Sequence, residues 1–342
     1  MDSKMRAAIL KDANLYQVEE VSVPKIEAAD EVLIKVLVCS ICGTDANFTR
    51  NPDSPSYGNM RGKILGHEIV GEIVEVGSAV KGLKEGDRVV VNPNSYCCKC
   101  KNCRNGYRNQ CENMEMMGIT VPGGFAEYVK TKEFLAFPIA KSVPLHHAVF
   151  AEPLSCAMNG FSRLDITPGD TCVVFGCGPI GLMFAQLARR NGARVACIEP
   201  TAGRQEIARK LGFDVYTPGA EVKEILANKW GRLANYCIDA AGQQLGVALD
   251  WLEYRGTVLC FAGTKTVENN LRFIQRKEAN IKGSFIINDS MSRAITVLEN
   301  GYLDLDPMVT HYIGLEDIAH GVDLMKSGKG MEIVIDIAKE EV

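Results

Sequence analysis

The chain has 342 residues, 46% hydrophobic and 23% charged, as in an ordinary globular protein with length enough for two domains. A net charge of −4 and a pI near 5.9 lack the basic footprint of a nucleic-acid binder. Thirteen cysteines, an odd number, and no apolar leader in MDSKMRAAILKDAN argue against a secreted disulfide framework and for a cytoplasmic protein.

The first part alternates short β-like runs with glycines: Glu31–Cys39, Ile69–Val76 and Arg88–Val91, punctuated by Gly66, Gly71, Gly77, Gly82 and Gly86. Many short strands with turn signals predict a β-rich, barrel-like domain over residues 1–154. From Thr171 onward apolar strands alternate with helices. Strands are expected at Thr171–Phe175, Arg194–Glu199, Tyr236–Asp239, Val258–Phe261 and Ile281–Ile287, and helices at Ile180–Asn191 and Gly203–Leu211. That interleaving predicts an α/β domain over residues 155–284, with a parallel sheet covered on both faces. The tail, 285–342, carries a helix candidate at Ser290–Asn300 and a last β-like run at Met331–Ile337. Thr171–Ala188 has no charged residue, but its glycines, proline and Gln186 fit a nucleotide loop better than a membrane span.

Three fragments offer metal ligands in chain order: ICGTD (41–45), GHE (66–68) and AEPL (151–154). Cys42, His67 and Glu152 supply a sulfur, a nitrogen and an oxygen, the mixed set of a catalytic zinc with a fourth position open. Glu68 is either a supporting group, an alternative ligand when substrate is absent, or an ion-pair partner. Asp45 either orients His67 or caps a turn. Thr44 carries a hydroxyl able to relay a substrate proton. A second, closed site is expected in the lobe 97–111. Cys97, Cys100, Cys103 and Cys111 stand at intervals of 3, 3 and 8, and four thiolates close a tetrahedral zinc site that leaves no room for substrate. Asn105 and Gly106 suit a loop there rather than a helix. Cys98 adjoins Cys97, and the even spacing favours Cys97. An iron–sulfur cluster or an unpaired cysteine group are the alternatives.

Phe175–Gly181 reads FGCGPIG, a G-x-G-x-x-G at the end of a strand and the start of a helix. Gly176 permits the tight turn, Gly178 the approach of a pyrophosphate, and Gly181 close helix packing, with Pro179 and Ile180 between them. Glu199 lies 23 residues after Gly176, placed to bond ribose hydroxyls and repel a 2′-phosphate, which favours NAD. Arg204 nearby is the feature that would accommodate that phosphate.

These motifs, with GHEIVGEIVEVG (66–77), GDRV (86–89) and GGFAEY (123–128), make the chain resemble the zinc-containing medium-chain dehydrogenases over essentially its whole length. The resemblance implies a GroES-like catalytic domain and a Rossmann domain with the active site in the cleft between them. It also implies two zinc ions per chain, a tail that rejoins the catalytic domain, and a homodimer or homotetramer. Glu152 is similar to the ligand of the polyol branch, close to sorbitol dehydrogenase, where simple alcohol dehydrogenases carry cysteine. The threonine dehydrogenase branch shares the glutamate but carries a histidine where this chain has Asn94. Asn47, Phe48 and Ile286 depart from the sorbitol pattern. The expectation is therefore NAD-dependent oxidation of a secondary hydroxyl in a polyol or sugar-like small molecule, with no nucleic-acid or membrane partner. A threonine-type amino-alcohol dehydrogenase, a zinc-free reductase on the same fold and an inactive zinc module are the alternatives.

Overall fold

The structure, a computed structural model, describes residues 3–263 and 271–339. The chain separates into two compact units, Met1–Ser155 with Ile287–Val342, and Cys156–Ile286.

The first unit is built on the Glu31–Ser40 strand. Its sequence EVLIKVLVCS is apolar at nearly every position, and eight of its ten residues are buried. Strands that are buried on both faces read this way. Around it runs a seven-stranded sheet in the order Ala136–Pro138, Arg88–Val91, Glu68–Val76, Glu31–Ser40, Glu332–Asp336 and Val309–Gly314, with Tyr128–Lys132 also paired to Glu31–Ser40. The tail strand Glu332–Asp336 runs antiparallel to Glu31–Ser40, with Val334 opposite Ser40. On the other side Ser40 pairs with Glu68. Register thus brings one end of the central strand and the starts of two others to the same place. Ile34, Val36, Ile69, Ile73, Val89, Ile333 and Ile335 form the core beneath.

The second unit is a six-stranded parallel sheet in the order Asp214–Tyr216, Arg194–Ile198, Thr171–Phe175, Ala234–Asp239, Leu252–Cys260 and Asn280–Gly283. Numbered along the chain that order is 3-2-1-4-5-6, the doubly wound arrangement whose first strand leads into a nucleotide loop. All five residues of Thr171–Phe175 are buried, as helices on both faces require. The Pro179–Arg190 helix follows with proline in its first turn, where the missing N–H costs nothing.

Two local expectations change. The strand expected over Ile281–Ile287 ends at Gly283, because Ile286 adopts a φ of +38°, which no strand tolerates. The lobe is not all loop. Lys101–Arg104 forms one helical turn, nucleated by the Cys103 N–H bonded to Cys100 Sγ, and the chain leaves it through Gly106 at φ +81°.

Candidate metal centres and nucleotide loop

Cys42 follows the central strand, and His67 precedes the strand paired to it. Cys42 caps the Gly43–Arg50 helix, with the Thr44 N–H 3.5 Å from its Sγ and its own N–H donating to Asp45 Oδ2 at 3.0 Å. Asp45 is fully buried, also accepts the Gly66 N–H at 3.2 Å, and faces His67 Nδ1 at 3.5 Å. One carboxylate therefore braces the backbone beside both expected ligands. Donor atoms of Cys42, His67 and Glu68 lie within 4.8 Å of one another. Glu152 is not in that trio. It is buried in the first turn of the Ala151–Phe161 helix and close enough to Glu68 to raise its pKa. Thr44 is half-buried, Asn47 exposed, and Phe48 is a core residue packed edge-to-face on Tyr57.

The charge around this group tests whether a metal fits. Burial pushes the Glu68 carboxyl up to about 7, and Glu152 and Asp45 add to the shift while His67 and Ser40 oppose it. Glu332, at the start of the tail strand, is also buried, and its Oε1 has no hydrogen-bond partner. Burial, then Glu68 and Glu152, hold its pKa well above the usual carboxylate range. Burial raises the Cys42 thiol to about 11, aided by Glu68 and opposed by His67. Four buried carboxylates and a thiol thus crowd a single imidazole. Anions in such surroundings take up protons unless a cation balances them. A divalent ion with nitrogen, sulfur and oxygen ligands fits that deficit.

Ser40 and Glu332 were missed in the sequence. The Ser40 hydroxyl donates to Glu68 Oε2, and Ser40 opposes the upward shift of Glu332. An acid heading the apolar run MEIVIDI was the available signal.

Cys97, Cys100, Cys103 and Cys111 form a second group, their sulfurs all within 4.8 Å. Backbone N–H groups point at the sulfurs: Cys97 N to Cys111 at 3.3 Å, Cys100 N to Cys97 at 3.3 Å, and Asn113 N to Cys111 at 3.4 Å. Such donors favour thiolates. Those of Lys99 and Cys100 lower the Cys97 pKa to about 6, while burial lifts Cys103 to about 12. Cys98 is exposed, has a left-handed φ of +57° and lies outside the group. Four converging sulfurs fit a closed zinc site.

In the second unit Gly176 has φ +97°, and a Cβ on Gly181 would stand 1.9 Å from the Gly176 carbonyl oxygen. Only glycine allows that turn. Gly178 caps the helix and borders open space, its nearest neighbour being Arg204 Nη1 at 4.0 Å from where a Cβ would be. Pro179, Ile180 and Gly181 form the first turn, so free N–H groups face whatever anion enters. Glu199 behaves differently from a free ribose acceptor. It is buried, with Oε2 accepting Cys177 N–H and Oε1 accepting Thr201 N–H, each at 2.8 Å. It therefore braces the loop with one lone pair of each oxygen and keeps the rest for a ligand. Arg204 Nε is buried without a hydrogen-bond partner.

Comparison with known proteins follows the same division. Residues 28–141 match the alcohol dehydrogenase GroES-like domain, and residues 179–300 match the zinc-binding dehydrogenase domain. D-arabinitol dehydrogenase 1 of Uromyces fabae is 32% identical, covering 98% of each chain. An L-threonine 3-dehydrogenase of Caldanaerobacter subterraneus is 34% identical over 92% of this chain and 93% of its own. Among solved structures, a zinc-binding dehydrogenase from Sinorhizobium meliloti bound to NADP superposes with a TM-score of 0.89 at 29% identity, covering 98% of this chain and all of that one.

Proposed function

Because the chain belongs to the zinc-containing medium-chain alcohol and polyol dehydrogenases, we propose that it transfers a hydride between a secondary hydroxyl carbon of a polyol or sugar-like molecule and NAD. The observation that carries this reading is the buried gathering of Cys42, His67 and Glu68, with Glu152 beside it, in surroundings short of positive charge. Cys42, His67 and a carboxylate, Glu152 or Glu68, would hold a zinc ion, which would supply a Lewis acid that makes a hydroxyl proton easier to lose. Thr44 takes that proton on its side-chain oxygen and passes it outward. Asp45 holds Cys42 and Gly66 by their backbone, which keeps the ligands aimed.

Gly176, Gly178, Pro179, Ile180 and Gly181 receive the pyrophosphate, and Glu199 meets the ribose while bracing the loop. Glu199 would repel a 2′-phosphate, which supports NAD over NADP, and Arg204 is the feature that would accommodate one. Residues 1–154 and 285–342 act as the catalytic domain and 155–284 as the cofactor domain. Cys97, Cys100, Cys103 and Cys111 hold a structural zinc. The arabinitol dehydrogenase relative supports a polyol substrate. The threonine dehydrogenase relative supports the rival, against which stands Asn94. No helix among the described residues is long and apolar enough to cross a membrane. Thirteen cysteines without a disulfide support a cytoplasmic enzyme, and the family supports a homo-oligomer.

The test is nicotinamide reduction with arabinitol, sorbitol, xylitol, a butanediol and threonine, each with NAD and NADP. A polyol with NAD is expected to give the highest kcat/KM. Turnover confined to threonine, or stronger with NADP, overturns the corresponding half of the reading.

A further inference from the structure

The first unit gathers a third set of metal-type donors, apart from the two above. Leu145–Ala148 is a single helical turn that carries His146 and His147 side by side. Asp306 opens the short Asp306–Met308 turn, anchored by fully buried Met308. His147 Nε2 lies 2.6 Å from Asp306 Oδ1, and His146 Nε2 lies 3.7 Å from the same oxygen. The two rings meet edge to face, centroids 4.5 Å apart. One donor atom from each residue falls within 4.8 Å of the others.

An ion pair with Asp306 holds His147 at hydrogen-bond distance but His146 only at 3.7 Å. His146 stands over the same oxygen but beyond hydrogen-bond range, and its buried Nδ1 has no hydrogen-bond partner. Protonating both rings sets two cations in contact. With metal–ligand bonds of about 2.0–2.1 Å, donors around one tetrahedral ion stand roughly 3.3 Å apart. The 2.6 and 3.7 Å separations from Asp306 bracket that value, and all three donors lie within 4.8 Å of one another.

We propose that His146, His147 and Asp306 bind a third divalent metal ion, with water in the remaining positions. Two imidazoles and one carboxylate suit borderline first-row ions, Zn²⁺, Co²⁺ or Ni²⁺, rather than Mg²⁺, which prefers all-oxygen shells. Such an ion ties the turn leading into Glu152 to the tail segment. The His147 carbonyl accepts the Phe150 N–H, so the tether acts two residues before that helix turn. Its exposed carboxylate makes the site weaker and more exchangeable than the two buried ones.

The test is calorimetric titration of the desalted, zinc-loaded enzyme with ZnCl₂, and separately with MgCl₂. One further equivalent of Zn²⁺ is expected, and none of Mg²⁺. Asp306→Asn and His146→Gln are each expected to abolish the extra equivalent, and His320→Gln, at an exposed histidine elsewhere, to keep it. The Asp306 side chain is mostly exposed, so Asp306→Asn is expected to match the wild-type unfolding midpoint in the absence of added metal. No extra equivalent in the wild type, its persistence in Asp306→Asn or His146→Gln, or equal binding of Mg²⁺ overturns the proposal.

Discussion

The cysteine lobe and the Cys42–His67 group solve opposite problems. In the lobe, four like ligands lie within fifteen residues, and local backbone N–H groups stabilise their charge. In the Cys42 group, unlike ligands come from segments far apart in sequence, and the surroundings are crowded with buried acids. The first arrangement would satisfy a metal completely and leave it nothing to do but hold a loop. The second leaves an imbalance of charge and a mixed shell, the conditions under which a bound ion can act on substrate.

Substitutions separate the two. Cys42→Ala is expected to lower kcat/KM by at least about 10³-fold, since a catalytic metal contributes several kcal/mol of charge stabilisation. Its unfolding midpoint is expected to stay near that of the wild type. Comparable collapse of stability and turnover would erase the distinction between the sites. Glu68→Gln is expected to cost about 10–100-fold in turnover or zinc affinity, the usual effect of a group supporting a metal site. A larger loss than that of Glu152→Gln makes Glu68 the resident ligand, and a smaller one returns that role to Glu152. Cys103→Ser is expected to act chiefly on stability, lowering the unfolding midpoint by roughly 5 °C or more while leaving residual turnover.

A pH experiment sharpens the same contrast with a smaller signal. The thiolate is the reactive form. Cys97, lowered to about 6, is mostly thiolate at pH 7, whereas Cys42, raised to about 11, is mostly thiol. In chelator-treated protein, iodoacetamide at pH 7 is expected to label Cys97 before Cys42 in a peptide map. Raising the pH should increase labelling of Cys42 and hardly change that of Cys97. The reverse order counts against the electrostatic difference described here.

Local patterns were legible in the sequence, and long-range register was not. C-x-x-C-x-x-C and G-x-G-x-x-G state their chemistry within a few residues, and the strands at Arg88–Val91 and Thr171–Phe175 have the expected bounds. Glu332 reaches the Cys42 group only because the tail strand pairs beside Glu31–Ser40, and no local pattern encodes that neighbour. The His146–His147–Asp306 group was invisible for the same reason, its halves lying 159 residues apart. Glu199 was found by its distance from the glycines. That both its oxygens brace the chain depends on where the Cys177 and Thr201 N–H groups point, which spacing does not reveal. The strand expected to run on through Ile287 fails because apolarity alone carries no information about a left-handed φ at Ile286.

The division of labour between the two metal groups is tested most directly by graded chelation, with zinc content and polyol-dependent NAD reduction followed on the same sample. In the Asp306→Asn enzyme holding two zinc ions per chain, turnover is expected to fall to zero as the first of them is lost, with the 97–111 lobe still folded by hydrogen exchange. Full turnover after that first loss, or unfolding of the lobe in step with it, contradicts the account.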